Sequence, residues 1–143
     1  MDRRTWIVLG VLAFVLTRAA RAASVNFKPG VDLSLRPEMA KALPLIEQAH
    51  DDVGIARGAY ITSGKDGVHG PDSLHALGLA VDLRTRDLPS TTVTALVSAL
   101  QSRLNGSASA TRPYQMIVEP NASAPTADPH IHIEYQPYPG YRG

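Results

Sequence analysis

Cysteine is absent from the 143 residues, so disulfide frameworks, thiol nucleophiles and thiolate metal sites are all excluded. Any metal would have to sit on His, Asp or Glu. Nowhere does the chain show the roughly 20 consecutive apolar residues that a membrane-spanning helix needs. Its longest uncharged apolar run, Trp6 to Leu16, is 11 residues. Charge of one sign is scarce as well: the formal net charge is only +1. With 44% hydrophobic and 19% charged residues, the composition is that of a folded chain, and the length allows one domain and not two.

Arg3 and Arg4 precede the apolar run, and Ala20-Arg21-Ala22 follows it with a small-x-small pattern. Residues 1–22 therefore read as a signal peptide, with an uncleaved N-terminal anchor as the alternative because Arg18 and Arg21 crowd the cleavage site. That segment carries four arginines and Asp2 out of 14 basic and 13 acidic residues, so its removal leaves 10 basic and 12 acidic side chains, a net of −2. No Lys/Arg cluster remains. A nucleic-acid partner loses its electrostatic support, and the basicity belongs to targeting. The expected location is secreted or periplasmic, or the inner membrane if the segment is retained.

Residues 23–34 read as a polar lead-in. From Pro37, the residues Met39, Leu43, Ile46, Ala49 and Val53 recur at helical spacing up to Gly54, with Pro44 expected to kink or divide the helix. Ile55–Ser63 and Leu79–Leu83 read as strands. In the second, Leu79, Val81 and Leu83 alternate with Ala80 and Asp82, so Asp82 is held on the face away from the core. Val93, Leu96, Val97, Leu100 and Leu104 mark a second helix with Ser90 as its expected N-cap and Asn105-Gly106 as its end. Tyr114–Glu119 reads as a strand, 120–129 as a loop, and His130–Tyr135 as a last strand with His130, His132 and Glu134 on one face. Residues 137–143 form a Pro/Gly-rich tail. The elements do not alternate regularly, which predicts an α+β domain with a small antiparallel sheet and flanking helices.

Four of the five histidines, His69, His75, His130 and His132, fall in or beside two segments, HGPDSLHALGLAVD and DPHIHIEY. His-x-His on one strand places both rings on the same side, and a third donor reaches them only through tertiary folding. Three protein ligands plus water is the usual catalytic zinc arrangement. Taken singly, a His-x-His pair is more often hydrogen-bonded or solvated, and His75 with Asp82 can be a structural hydrogen bond.

The stretch ITSGKDGVHGPDSLHALGLAVDLRT, residues 61–85, together with DPHIHIEY, resembles the Ser-x-His-(x6)-Asp and His-x-His signatures of zinc D-Ala-D-Ala carboxypeptidases, dipeptidases and phage L-alanyl-D-glutamate endolysins. The hedgehog signalling domain shares their zinc scaffold. The resemblance spans roughly residues 35–136. It implies one zinc ion on the sheet face, held by His75, Asp82 and His132, with His130 steadying the tetrahedral intermediate and Ser73 helping to bind substrate. His69 matches a histidine of the hedgehog branch. The implied activity is hydrolysis of amide bonds in peptidoglycan stem peptides, of the carboxypeptidase or endopeptidase type, and the chain is expected to be a monomer. In such a site zinc lowers the pKa of water to about 7, and a carboxylate moves the proton.

Two positions depart from the family. Its base is often three residues before the last ligand, where this chain has Pro129, so Asp128 is favoured narrowly over Glu119 as the base. Its carboxylate-binding arginine is replaced by Lys65, leaving Lys65 or Arg84 for that task. Glu134 is a candidate for orienting His132. The alternative to a peptidase is a non-catalytic, zinc-stabilised module that binds peptidoglycan or a protein.

Overall fold

Alternation along the strands decides what the sheet buries and what it displays. The computed structural model describes residues 25–70, 72–106 and 111–143. In chain order these form β1 (Asn26–Phe27), α1 (Pro37–Val53), β2 (Tyr60–Ser63), β3 (Ala80–Arg84), α2 (Ser90–Asn105), β4 (Tyr114–Glu119) and β5 (His130–Tyr135). The signal-peptide expectation for residues 1–22 lies outside the described residues. Among the latter, no helix is long and apolar enough to cross a membrane.

The fold is α+β: among the described residues, two helices and one open five-stranded sheet of order β1-β2-β3-β5-β4. β1 runs parallel to β2, and the other neighbours are antiparallel. On one face, Ile61, Val81, Leu83, Ile131 and Ile133 are fully buried against Met39 and Ile46 of α1 and Leu96 and Leu100 of α2. Each such side chain contributes about 1.5–3 kcal/mol relative to exposure. The opposite face carries Asp82 and Arg84 of β3, His130, His132 and Glu134 of β5, and Ile117 and Glu119 of β4. Register aligns them in rows, with Asp82, His132 and Ile117 in one and Arg84, His130 and Glu119 in the next.

Several local expectations are revised. Pro44 does not divide α1, which is a single helix through Val53. Pro44 and Ala40 are both exposed, so the Ala40 carbonyl that loses its helical donor faces water. Pro37 opens this helix and Gly54 ends it in the left-handed region, at φ 77°. At α2 the N-cap is Pro89 instead of Ser90, and it supplies no side-chain cap. The strand expected from Ile55 begins only at Tyr60. Before it, the Ala59 N–H is taken by buried Glu47 (2.7 Å), and Arg57 is drawn out to Asp87 (2.8 Å). The lead-in contributes the short parallel strand β1, which its composition does not announce.

β4 is an edge strand. The Asn105 side chain caps the Tyr114 N–H and C=O, each at 2.9 Å, and the Asn121 amide reaches the Val118 carbonyl at 3.0 Å. The tail packs back: Tyr141 lies edge-on to Tyr135, with ring centroids 5.6 Å apart, and Arg142 bonds the Asp72 carbonyl.

Candidate metal centre

His75 arrives from a turn and not from a strand. The turn closes through Gly78 N–H to His75 O and Leu79 N–H to Leu74 O, both 2.8 Å. Gly78 has φ +71°, and a Cβ there would lie 2.8 Å from the Ser34 carbonyl oxygen, so only glycine fits. The turn delivers the buried His75 ring over β3, beside Asp82.

Two hydrogen bonds then fix which ring atoms look inward. His75 Nδ1 donates to the Gly64 carbonyl at 2.7 Å, which leaves Nε2 as a lone pair. His132 Nε2 donates to Glu134 Oε2 at 3.0 Å, which leaves Nδ1. These tautomers are assigned from the partners. His75 Nε2, Asp82 Oδ1 and His132 Nδ1 form a triangle with sides of 3.2, 3.2 and 3.0 Å. A tetrahedral site with arms of about 2.0 Å has edges of about 3.3 Å, close to these values. His75, Asp82 and His132 can thus hold a metal ion. Both imidazoles are oriented by an acceptor on their far side, as metal-ligating histidines usually are.

Without a metal, three acceptors so close together must share a proton. Burial disfavours a charged ring, but hydrogen bonds to Asp82 and Glu134 outweigh it and raise His132 to about 9. Burial likewise opposes ionisation of Asp82, and hydrogen bonds from His132 and His75 overcome it, holding its carboxyl well below the usual range. The centre is built to be neutralised by one cation, proton or metal.

The other residues singled out from the sequence separate into near and far. His130 Nδ1 donates to the Asp128 carbonyl at 2.6 Å, and its Nε2 lies 3.6 Å from Asp82 Oδ1 and 3.4 Å from Glu119 Oε2. Glu119 is therefore brought beside the group. The Asp128 carboxylate is not: the turn at Pro129 points it outward, where it is 84% exposed and meets Arg86 at 2.5 Å. Arg84 lies on the same face, over the Tyr60 ring at 5.8 Å and 3.6 Å from Asp87, whose carboxylate Arg57 already holds with two hydrogen bonds. Ser73 accepts the His75 N–H at 3.3 Å and so shapes the turn. Lys65 is exposed, with its backbone N–H on the Asp32 carbonyl. His69 stacks on His75 with centroids 4.5 Å apart and planes 9° from parallel.

Sequence reasoning passed over Gly64, whose carbonyl sets the His75 tautomer, and Arg86, the partner of Asp128. A Ser-Gly pair closing a strand is the only sign of the first, and nothing in the sequence marks the second. No protein-family model, no curated protein and no solved structure matches this chain.

Proposed function

We propose that the protein is a zinc-dependent peptidase hydrolysing amide bonds in peptidoglycan stem peptides, of D-Ala-D-Ala carboxypeptidase or L-Ala-D-Glu endopeptidase type. The observation that carries this reading is the convergence of His75 Nε2, Asp82 Oδ1 and His132 Nδ1, with Glu119 and His130 beside them. The resemblance of residues 61–85 and DPHIHIEY to that peptidase group supports it. Two imidazoles and one carboxylate are a donor set that suits zinc and leaves a fourth position open. A zinc ion held there supplies Lewis acidity and a water of lowered pKa.

The chain's own groups do the rest. Glu119 takes the proton from the attacking water and returns it to the leaving amine. In its imidazolium form His130, held through Nδ1–H by the Asp128 carbonyl, would direct its second N–H, at Nε2, toward the oxyanion that develops on the scissile carbonyl. Arg84 offers its guanidinium to a substrate carboxylate on the same sheet face. Lys65 and Ser73 flank the His75 turn, from which they contact the remainder of the peptide. A peptidoglycan substrate accords with the export expected from residues 1–22.

Incubation of the zinc-loaded protein with purified sacculi tests this. Release of free D-Ala or of new amino termini by the wild type, lost in Glu119→Ala and kept in Asp128→Ala, is the expected result. Wild-type protein that holds one zinc per chain and releases nothing sinks the peptidase reading and leaves a zinc-stabilised binding module.

A further inference from the structure

The His75 ring is held on two sides by groups that trace back to one residue. Its Nδ1 edge rests on the Gly64 carbonyl at 2.7 Å, and its face is covered by His69. Gly64 is fixed in turn by Asp66, whose Oδ1 accepts the Gly64 N–H at 2.8 Å. His69 is fixed by Asp66 too, since its Nε2 donates to the Asp66 backbone carbonyl at 2.5 Å. The same Oδ1 accepts the Asp32 N–H at 3.0 Å, tying the loop to the lead-in segment, and the Lys65 N–H closes back on the Asp32 carbonyl at 2.9 Å. There is no slack in this arrangement. A Cβ at Gly64 would lie 2.3 Å from the Asp32 carbonyl oxygen, so the lead-in packs directly against Gly64 and leaves no room for a side chain there.

Asp66 is an acceptor for two backbone donors. Burial raises its carboxyl, but the hydrogen bonds from Gly64 and Asp32 prevail and hold it below the usual range, so it is ionised at neutral pH. An ionised acceptor makes shorter and stronger hydrogen bonds than a neutral one. It draws the Gly64 amide, and with it the whole peptide unit on which His75 depends, into one orientation.

We propose that Asp66 is a positioning residue of the metal centre: its carboxylate fixes Gly64, whose carbonyl orients the His75 ring, while its main-chain carbonyl, which any residue at this position supplies, holds the stacked His69. Partners that orient a ligating histidine commonly contribute about 10–100-fold to metal affinity, and the Asp66 carboxylate controls the one at Nδ1. This rests on the reading of His75, Asp82 and His132 as metal ligands and is independent of peptide hydrolysis.

The test is competition for Zn2+ against a chromophoric chelator, with wild type, Asp66→Ala, Asp66→Asn and His69→Ala. Asp66→Ala is expected to weaken zinc binding by about 10–100-fold, with His69→Ala and Asp66→Asn falling between it and wild type. The visible spectrum of the Co2+-loaded protein should change in Asp66→Ala, because the His75 ring tilts, while the melting temperature of the metal-free variant stays within a few degrees of wild type. Zinc affinity of Asp66→Ala within twofold of wild type overturns the proposal. So does a loss of affinity accompanied by unfolding of the metal-free variant with an unaltered Co2+ spectrum. A second readout needs no metal: imidazole nitrogen NMR of the metal-free protein should show His75 protonated on Nδ1 in wild type and a mixture of tautomers in Asp66→Ala. If wild type binds no zinc, the ligand reading fails while this tautomer comparison still decides for or against Asp66. An unchanged tautomer decides against it.

Discussion

Glu119 and His130 sit directly opposite each other in the β4–β5 ladder, and their side chains meet at 3.4 Å on the face that carries the candidate ligands His132 and Asp82. The register of an edge strand thus selects which carboxylate adjoins the centre. Glu119→Gln is expected to lower kcat by about 10²–10⁴ while zinc content is unchanged, as for loss of a general base. Asp128→Asn should cost less than about tenfold, because its carboxylate is solvated and bound to Arg86, and exposed pairs of this kind contribute little. Release of D-Ala or of new amino termini from sacculi is the measurement. The reverse ranking would return the role to Asp128.

Glu134 holds the His132 ring from the side away from Asp82. Glu134→Gln keeps an acceptor oxygen but loses the charge, and zinc affinity should fall about 10–100-fold. His132→Ala removes a ligand and should abolish stoichiometric zinc. Metal analysis after dialysis against a weak chelator separates the two, and full zinc retention in His132→Ala would overturn the ligand set.

His50 is fully buried in α1, with Nδ1 at the Ile46 carbonyl (3.3 Å) and Nε2 without a partner. Burial lowers its pKa, an effect larger than the opposing hydrogen bond to Ile46. The ring stays neutral in the folded state at pH values where the unfolded chain, titrating near about 6.5, takes up a proton. Stability is therefore complete above about 6.5 and lost as pH falls below it toward the depressed folded value. Urea denaturation of metal-free wild type and His50→Leu at pH 7.5 and 5.5 should show the larger acid loss in wild type. His132 is present in both proteins, so the pH dependence that its raised pKa adds is the same in each and cancels from the comparison. Equal losses would mean that His50 is not the acid-sensitive group.

Gly78→Ala places a Cβ 2.8 Å from the Ser34 carbonyl oxygen at a residue with φ +71°. Both the contact and the backbone conformation oppose it, and a cost of about 1–3 kcal/mol is expected from denaturant unfolding. Because Gly78 closes the turn that carries His75, zinc affinity should fall in the same variant.

What the sequence made legible follows from its periodicities. Leu79, Val81 and Leu83 against Asp82, and Ile131 and Ile133 against His130 and His132, are alternations of period two that a fold with one buried face must respect. The predicted faces are those observed, and His75, Asp82 and His132 do come together. Single-residue geometry was not legible. Asp128 is tethered two residues before His130, yet the turn at Pro129 sends it outward, and sequence distance carries no information about that direction. The Ala59 amide is claimed by Glu47, 12 residues away, which no local pattern reveals. Likewise β1 is too short for any periodicity to mark it, and it is defined by its pairing with β2.

The two asparagines at β4 have a bearing on how molecules of this protein tolerate one another. A free strand edge invites a neighbour's strand to add to it, and the hazard grows with the number of consecutive open rungs. Asn105 occupies both backbone groups of Tyr114, and Asn121 takes the carbonyl of Val118, so the open stretch of this edge is shortened from both ends. Removing the Asn105 side chain lengthens that stretch back to Tyr114, and the strand carrying Glu119 becomes a seam along which concentrated molecules can join edge to edge.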